Sequence, residues 1–229
     1  MVDDRKVTAM ENLTQAQAEA VVLAMADTSL ANEAYFSELD GVMGDADFGT
    51  SLASGFRVVR ANWDTYDHSS IGATLLNVSS ALTSNTGGCS GPVWGTLFMR
   101  TGIAFRGKAE LSLEEIVAGL RSAMEGIMKR GGASLGDKTL LDALDAIVVS
   151  LEQSAAAGEG SLLDAFAQAA DAAHETRETT KGWVAKRGRQ SFTGDRSIGT
   201  YDPGIVAVGD MAKAIVRALS DGPDLDNTQ

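Results

Sequence analysis

Apolar residues recur at three- and four-residue steps along most of the chain, and short glycine-rich joints interrupt the runs they define. The first run opens after Thr14, a good N-cap residue, and carries Ala20, Val21, Leu23 and Met25. A segment over residues 31–39 continues or follows it. Further helices are predicted from near residue 50 to 62, over 71–82 and over 93–105, the last with Pro92 in a first turn where its missing N–H costs nothing. Ser112 and Glu115 have the spacing of a capping box, starting a helix that runs to about residue 129. Residues 138–155, 161–186 and 203–220 complete about eight helices. No strand pattern emerges: Ile147, Val148 and Val149 are β-branched but sit inside helical periodicity. The three prolines, at 92, 203 and 223, all fall near predicted helix ends.

Composition sharpens this picture. The chain has 229 residues, which fits one domain over residues 1–229, with a polar tail expected to fray from about residue 221. Only 6% of residues are aromatic, and the long runs are rich in Ala and Leu, the strongest helix formers. The formal net charge of -12 gives no general attraction to nucleic acid or to an anionic membrane. An anionic ligand must therefore be drawn by local charge. One cysteine, Cys89, excludes an intrachain disulfide. No apolar run is long enough to span a bilayer, and residues 1–10 lack the apolar core of a signal peptide, so the expected location is cytoplasmic.

Candidate chemistry sits in the joints, which follow roughly alternate helices and so are expected to converge at one end of a bundle. The first reads Gly44-Asp45-Ala46-Asp47-Phe48-Gly49. Asp45 and Asp47 are two residues apart, and Asp40 lies about one and a half helical turns earlier, so all three carboxylates can meet at one centre. Clustered carboxylates repel unless a cation neutralises them, and hard oxygen ligands favour Mg²⁺ or Ca²⁺. A solvated acidic turn is the plainer alternative. The second joint, Gly87-Gly88-Cys89-Ser90-Gly91-Pro92, precedes a helix; its small residues suit a phosphate or simply a tight turn. In the third, Gly136-Asp137-Lys138-Thr139, Asp137 is a candidate helix cap. Arg187 and Arg189 close a basic stretch over 181–189, either as a solvated helix end or as guanidinium groups for a phosphoryl group. Cys89 reads as a packing residue. His68 and His174, the only histidines, and Trp63, Trp94 and Trp183 carry no catalytic pattern.

Taken in order, these four joints resemble the nucleotide-binding L subunit, the Dak2-type domain, of dihydroxyacetone kinases. The matching stretches run from Leu39-Asp40 to Gly49, from Gly87 to Pro92, from Gly136 to Leu144, and from Gly188-Arg189 to Asp202-Pro203-Gly204. The resemblance implies an all-α barrel of about eight antiparallel up-and-down helices with its nucleotide, ADP or ATP, at one rim. It implies two Mg²⁺ ions on Asp40, Asp45 and Asp47. It also implies nucleotide contacts from Phe48, Gly49, Thr50, Ser51, Gly88, Cys89 and Ser90, with Gly132, Thr139, Asp202, Pro203 and Gly204 nearby, and a phosphate-contacting arginine at Arg187 or Arg189. Ala46 and Phe48 stand where the family reads Gly and His, and Ser51 where Asn is common.

In such kinases the sugar is held by a separate K-type subunit, for which 229 residues leave no room. The implied partners are that subunit and, in one donor scheme, a phosphotransferase-system protein that rephosphorylates a retained ADP; in the other scheme ATP exchanges freely. A regulatory subunit that reports nucleotide state to a transcription regulator is the alternative. The related domain of fatty-acid kinases fits the loop sequences less well.

Overall fold

The computed structural model of this chain describes residues 10–158 and 160–221. The polar start at 1–9, Pro223 and the rest of the tail at 222–229 lie outside the described residues. Nine α-helices are found among the described residues: α1 Gln15–Ala31, α2 Glu33–Gly41, α3 Phe48–Ala61, α4 Ile71–Asn85, α5 Ser90–Ala104, α6 Leu113–Gly131, α7 Leu140–Ala157, α8 Leu162–Lys181 and α9 Pro203–Ser220. The predicted periodicities are all realised as helices. From α2 onward each helix packs against the next in sequence, and α9 returns to α1, closing a ring. Because α1 and α2 both lie between α9 and α3, they act as one strut broken at Asn32, so nine helices make the eight staves of an all-α barrel.

Stave polarity follows from the caps. At the end where α1, α4, α6 and α8 begin, hereafter the base, every helix start is closed by its own side chain. Thr14, Ser112 and Ser161 each form a capping box, and the Ser70 hydroxyl accepts from the Ala73 N–H. Each such cap is worth about 1 kcal/mol. The opposite end, the rim, gathers the joints α2–α3, α4–α5, α6–α7 and α8–α9.

Three details differ from the sequence reading. Leu13–Thr14 (β1) pairs antiparallel with Glu110–Leu111 (β2) at the base, a ladder too short to leave a strand pattern. α8 stops at Lys181 rather than near 186, and Arg189–Ser197 forms a separate 3₁₀ segment kinked at Gly194. Thr139, not Asp137, caps α7: its hydroxyl accepts from the Leu141 N–H while Asp142 reaches back to the Thr139 N–H.

The core runs the length of the barrel. Phe36, Phe56 and Trp94 are fully buried, with Phe56 meeting Trp94 and Phe98 edge-on at 6.3 and 6.5 Å. Burying an aromatic or aliphatic side chain of this size contributes about 1.5–3 kcal/mol. An apolar cavity of about 200 Å³ remains inside, lined by Trp94, Phe98 and Leu144 among others and by none of the rim residues. No helix among the described residues is long and apolar enough to cross a membrane.

Candidate functional site

The rim is built first by the turn between α2 and α3. Asp40 lies in the last turn of α2, and its Oδ2 accepts from the N–H groups of Asp47 at 3.1 Å and Phe48 at 3.4 Å, folding the turn back over the helix end. This fold leaves no room for a side chain at Gly44, where a Cβ would stand 2.2 Å from Asp40 Oδ1. Gly49 is equally constrained: its Cβ would fall 2.0 Å from the Glu33 carbonyl. Between the two acidic positions Ala46 takes a left-handed backbone, φ 61°, which disfavours any residue but glycine.

The result is that one oxygen from each of Asp40, Asp45 and Asp47 lies within 4.8 Å of the others, Asp40 buried and the other two exposed. Burial, and then the neighbouring carboxylates of Asp45 and Asp40, push the Asp47 carboxyl above its usual range. A hard divalent cation would relieve that repulsion, and three convergent carboxylate oxygens are a donor set it accepts.

Two helix starts face the same opening. Neither Asp47 before α3 nor Cys89 before α5 caps its helix with its side chain, in contrast to every helix start at the base. The positive end of the α5 dipole is therefore open to an anion, whereas at α3 the Phe48 N–H already donates to Asp40 Oδ2 and the Thr50 N–H to Ser37 Oγ at 3.2 Å. The two starts touch: a Cβ on Gly87 would lie 2.8 Å from Ser51 Oγ. Gly88 is left-handed with open space around it, Ser90 opens α5, and Thr50 is exposed on the first turn of α3. The Phe48 ring packs edge-on against Phe36 at 6.3 Å, so the side chain at this position serves the core beneath the rim. Cys89 is exposed, not the packing residue expected, because the N-cap position of α5 lies on the rim. Partial burial of its thiol and the charges of Asp47 and Asp202 push its pKa up, which keeps it a neutral thiol.

The arginines separate. Arg189 forms an ion pair with Asp45, its Nε 2.7 Å from Oδ2, directly on the carboxylate cluster. Arg187 turns to the α6–α7 joint, donating to Asp137 Oδ2 at 3.2 Å and to the Gly132 carbonyl. Gly132 is the left-handed C-cap of α6. On the facing side Asp202 caps α9, its Oδ1 accepting from the Ile205 N–H at 2.9 Å, while Pro203 and Gly204 are buried against the start of α7. Burial pushes the Asp202 carboxyl up to about 7, against the N–H groups of Ile205 and Gly204 and the charge of Lys138. Thr139 is committed to its capping box. Thus Asp40, Asp45, Asp47, Arg189, the starts of α3 and α5 and the Asp202 region meet at one mouth. Arg187, Gly132 and Thr139 form its flank.

Sequence reasoning missed one participant. Lys138 is fully buried, and its Nζ donates to the carbonyls of Ser197, Trp183 and Lys181 at 2.7, 3.1 and 3.5 Å. The only local signal was a lysine inside a glycine-flanked joint, where a solvated charge is the ordinary expectation.

The sequence profile of the DAK2 domain matches residues 42–217. The chain is 35% identical over 187 residues to the ADP-binding subunit DhaL of the PEP-dependent dihydroxyacetone kinase of Escherichia coli K12, covering 82% of this chain and 89% of that one. It is 34% identical over 192 residues to the corresponding subunit of the PTS-dependent kinase of Lactococcus lactis, covering 82% and 90%. An L-erythrulose 1-kinase of Mycolicibacterium smegmatis is 33% identical over 196 residues, but there the chain spans only 33% of the longer protein. The crystal structure of the dihydroxyacetone kinase of C. freundii in complex with AMP-PNP and Mg2+ superposes with a TM-score of 0.64 at 22% identity, over 95% of this chain and 37% of that one, a likeness of fold. The chain belongs to the DAK2 domain family and is a homologue of the ADP-binding subunits of dihydroxyacetone kinases.

Proposed function

We propose that this protein is the nucleotide-holding, phosphoryl-transferring subunit of a kinase for a short-chain ketose, completed by a separate K-type subunit that holds the sugar. The observation that carries this reading is the meeting of three carboxylates with Arg189 between the starts of α3 and α5, the latter open to an anion. Anionic ligands need such positive poles on a chain of net charge -12.

In this reading Asp40, Asp45 and Asp47 hold two Mg²⁺ ions, which supply charge neutralisation to the nucleotide's phosphates when bound. The first turn of α3 at Gly49, Thr50 and Ser51, through its hydroxyls, and the start of α5 at Gly88, Cys89 and Ser90, through its backbone, cradle those phosphates. Arg189, already on the cluster, lends its guanidinium to the phosphoryl group in transit, and Arg187 braces the flank. Phosphoryl transfer through a loose transition state demands positioning and charge, and no protein base is required at this rim. Relatives matched along nearly their whole length are ADP-binding subunits of PEP- and PTS-dependent kinases, which supports ADP as a retained cofactor rephosphorylated by a phosphotransferase protein.

The test is purification followed by exhaustive dialysis against Mg²⁺ buffer and then against chelator. ADP should survive the first and leave in the second. Sugar phosphate should then form from dihydroxyacetone or a tetrulose only when a K-type subunit and a phosphohistidine donor are both added. Turnover with ATP alone would overturn the donor scheme, and no Mg²⁺-dependent nucleotide binding would overturn the whole reading.

A further inference from the structure

We infer that Lys138 is a positioning residue, an internal clasp that closes the neck of the arginine-bearing segment over residues 183–197 and so fixes Arg189 on the carboxylate cluster. The inference rests on the proposed function for its catalytic consequence, though not for the clasp itself.

The geometry of the clasp is specific. Trp183 and Lys181 precede Arg187 and Arg189, whereas Ser197 follows them, so one ammonium bonds both sides of the loop's neck. Its three N–H donors meet three carbonyl acceptors, which is the full complement of a lysine. The neck is tied again nearby: the Ala185 N–H donates to Ser197 Oγ at 2.9 Å and the Gly199 N–H to the Lys181 carbonyl at 2.8 Å. From the third joint, the Asp137 carbonyl accepts from the Lys186 N–H at 3.0 Å. The segment that carries both arginines is thus held by its neck to the α6–α7 joint, while their guanidinium groups stay exposed.

Two features show that stability alone does not account for this residue. Lys138 has φ 61°, one of two non-glycine residues among those described in the left-handed region, where a Cβ crowds the following carbonyl. Its ammonium is also buried with no carboxylate of the described residues in contact; burial depresses its pKa, and Asp202 acts on it only through space. A group whose charged form is disfavoured by folding destabilises the native state at neutral pH. Glycine would satisfy the turn without either cost. What lysine adds is the tie across the loop's neck.

Lys138→Gly separates the two roles. A turn-only role predicts equal or greater stability and unchanged amide exchange. The clasp predicts that amides over 183–197 exchange at least about 10-fold faster while those of α3 and α5 keep their protection. It also predicts that turnover with a K-type subunit falls about 10- to 100-fold through misplacement of Arg189, while affinity for ADP with Mg²⁺ changes less than about threefold. Unchanged exchange in 183–197 overturns the clasp. Looser exchange with full turnover overturns its link to phosphoryl transfer. If the unaltered protein shows no turnover even with a K-type subunit and a phosphohistidine donor, the kinase reading fails, yet the exchange comparison still decides the clasp. Should Lys138→Gly not fold, ¹⁵N-lysine spectra of the unaltered protein decide it: one slowly exchanging ammonium resonance is expected, and its absence overturns the inference.

Discussion

The two ends of the barrel are made from the same staves and finished in opposite ways. At the base, α1, α4, α6 and α8 all begin on a Ser or Thr whose hydroxyl accepts from the helix, and the short β1–β2 ladder ties two of the crossings together. At the rim, the N-cap residues of α3 and α5 make no side-chain cap, and both non-glycine left-handed residues among those described, Ala46 and Lys138, lie there. Three carboxylates crowd together at the rim, and burial shifts the ionisation of Asp47, Asp202 and Lys138. The base closes every helix start with the side chain of its own N-cap residue, whereas the rim does so only for α7 and α9. Residues that violate local rules cluster where the fold must meet something other than itself.

The contrast is broken most severely at the carboxylates. Asp45→Asn or Asp47→Asn should weaken Mg²⁺-dependent ADP binding by about 100-fold or more, the cost of removing one ionic partner from a charge cluster, with helical circular dichroism unchanged. Isothermal titration with and without Mg²⁺ checks this. Next in size is the separation of the arginines. Arg189→Ala should lower turnover about 10³-fold with little change in ADP affinity, whereas Arg187→Ala, which loses only Asp137 and Gly132, should cost about 10-fold or less. Equal losses would contradict the assignment of Arg189 to the cluster.

The rim should also carry more of the pH dependence. Burial pushes the Asp202 carboxyl up to about 7, well above the ordinary carboxylate range, so the folded state holds its proton more tightly than the unfolded one. Its contribution is fully present below about pH 4 and is lost as the pH rises to about 7. Thermal melts of Asp202→Asn should lose that downward slope. By contrast, Ser112→Ala at the base should cost about 1 kcal/mol of stability and leave ADP affinity untouched. Smallest is Ala46→Gly, which relieves a left-handed alanine but loosens the unfolded chain; the net should be a gain of about 0.5–1 kcal/mol in a denaturant titration.

The base was the more legible end. Capping boxes are local, so Thr14 and the Ser112–Glu115 pair announced their helices directly. The convergence of the rim was also legible, because joints after alternate staves of an up-and-down barrel share an end. What the sequence concealed depends on tertiary partners. Asp137 and Thr139 are both competent caps, and Arg187 draws Asp137 away. Arg187 and Arg189 are two residues apart in one loop, and only the fold assigns them to Asp137 and Asp45. Lys138 reads as a surface charge until its three carbonyls, more than forty positions away, surround it. The break at Asn32 and the pairing of Leu13 with Leu111 are too brief to leave a periodic trace.

The central claim is that the acidic trio at the rim ligates divalent ions. Crystals grown with ADP and Mn²⁺, an octahedral oxygen-seeking substitute for Mg²⁺, test it most directly. Anomalous density between Asp40, Asp45 and Asp47, with phosphate oxygens completing the shell, is the predicted result. Bound ADP with no anomalous peak within reach of those carboxylates would contradict the account.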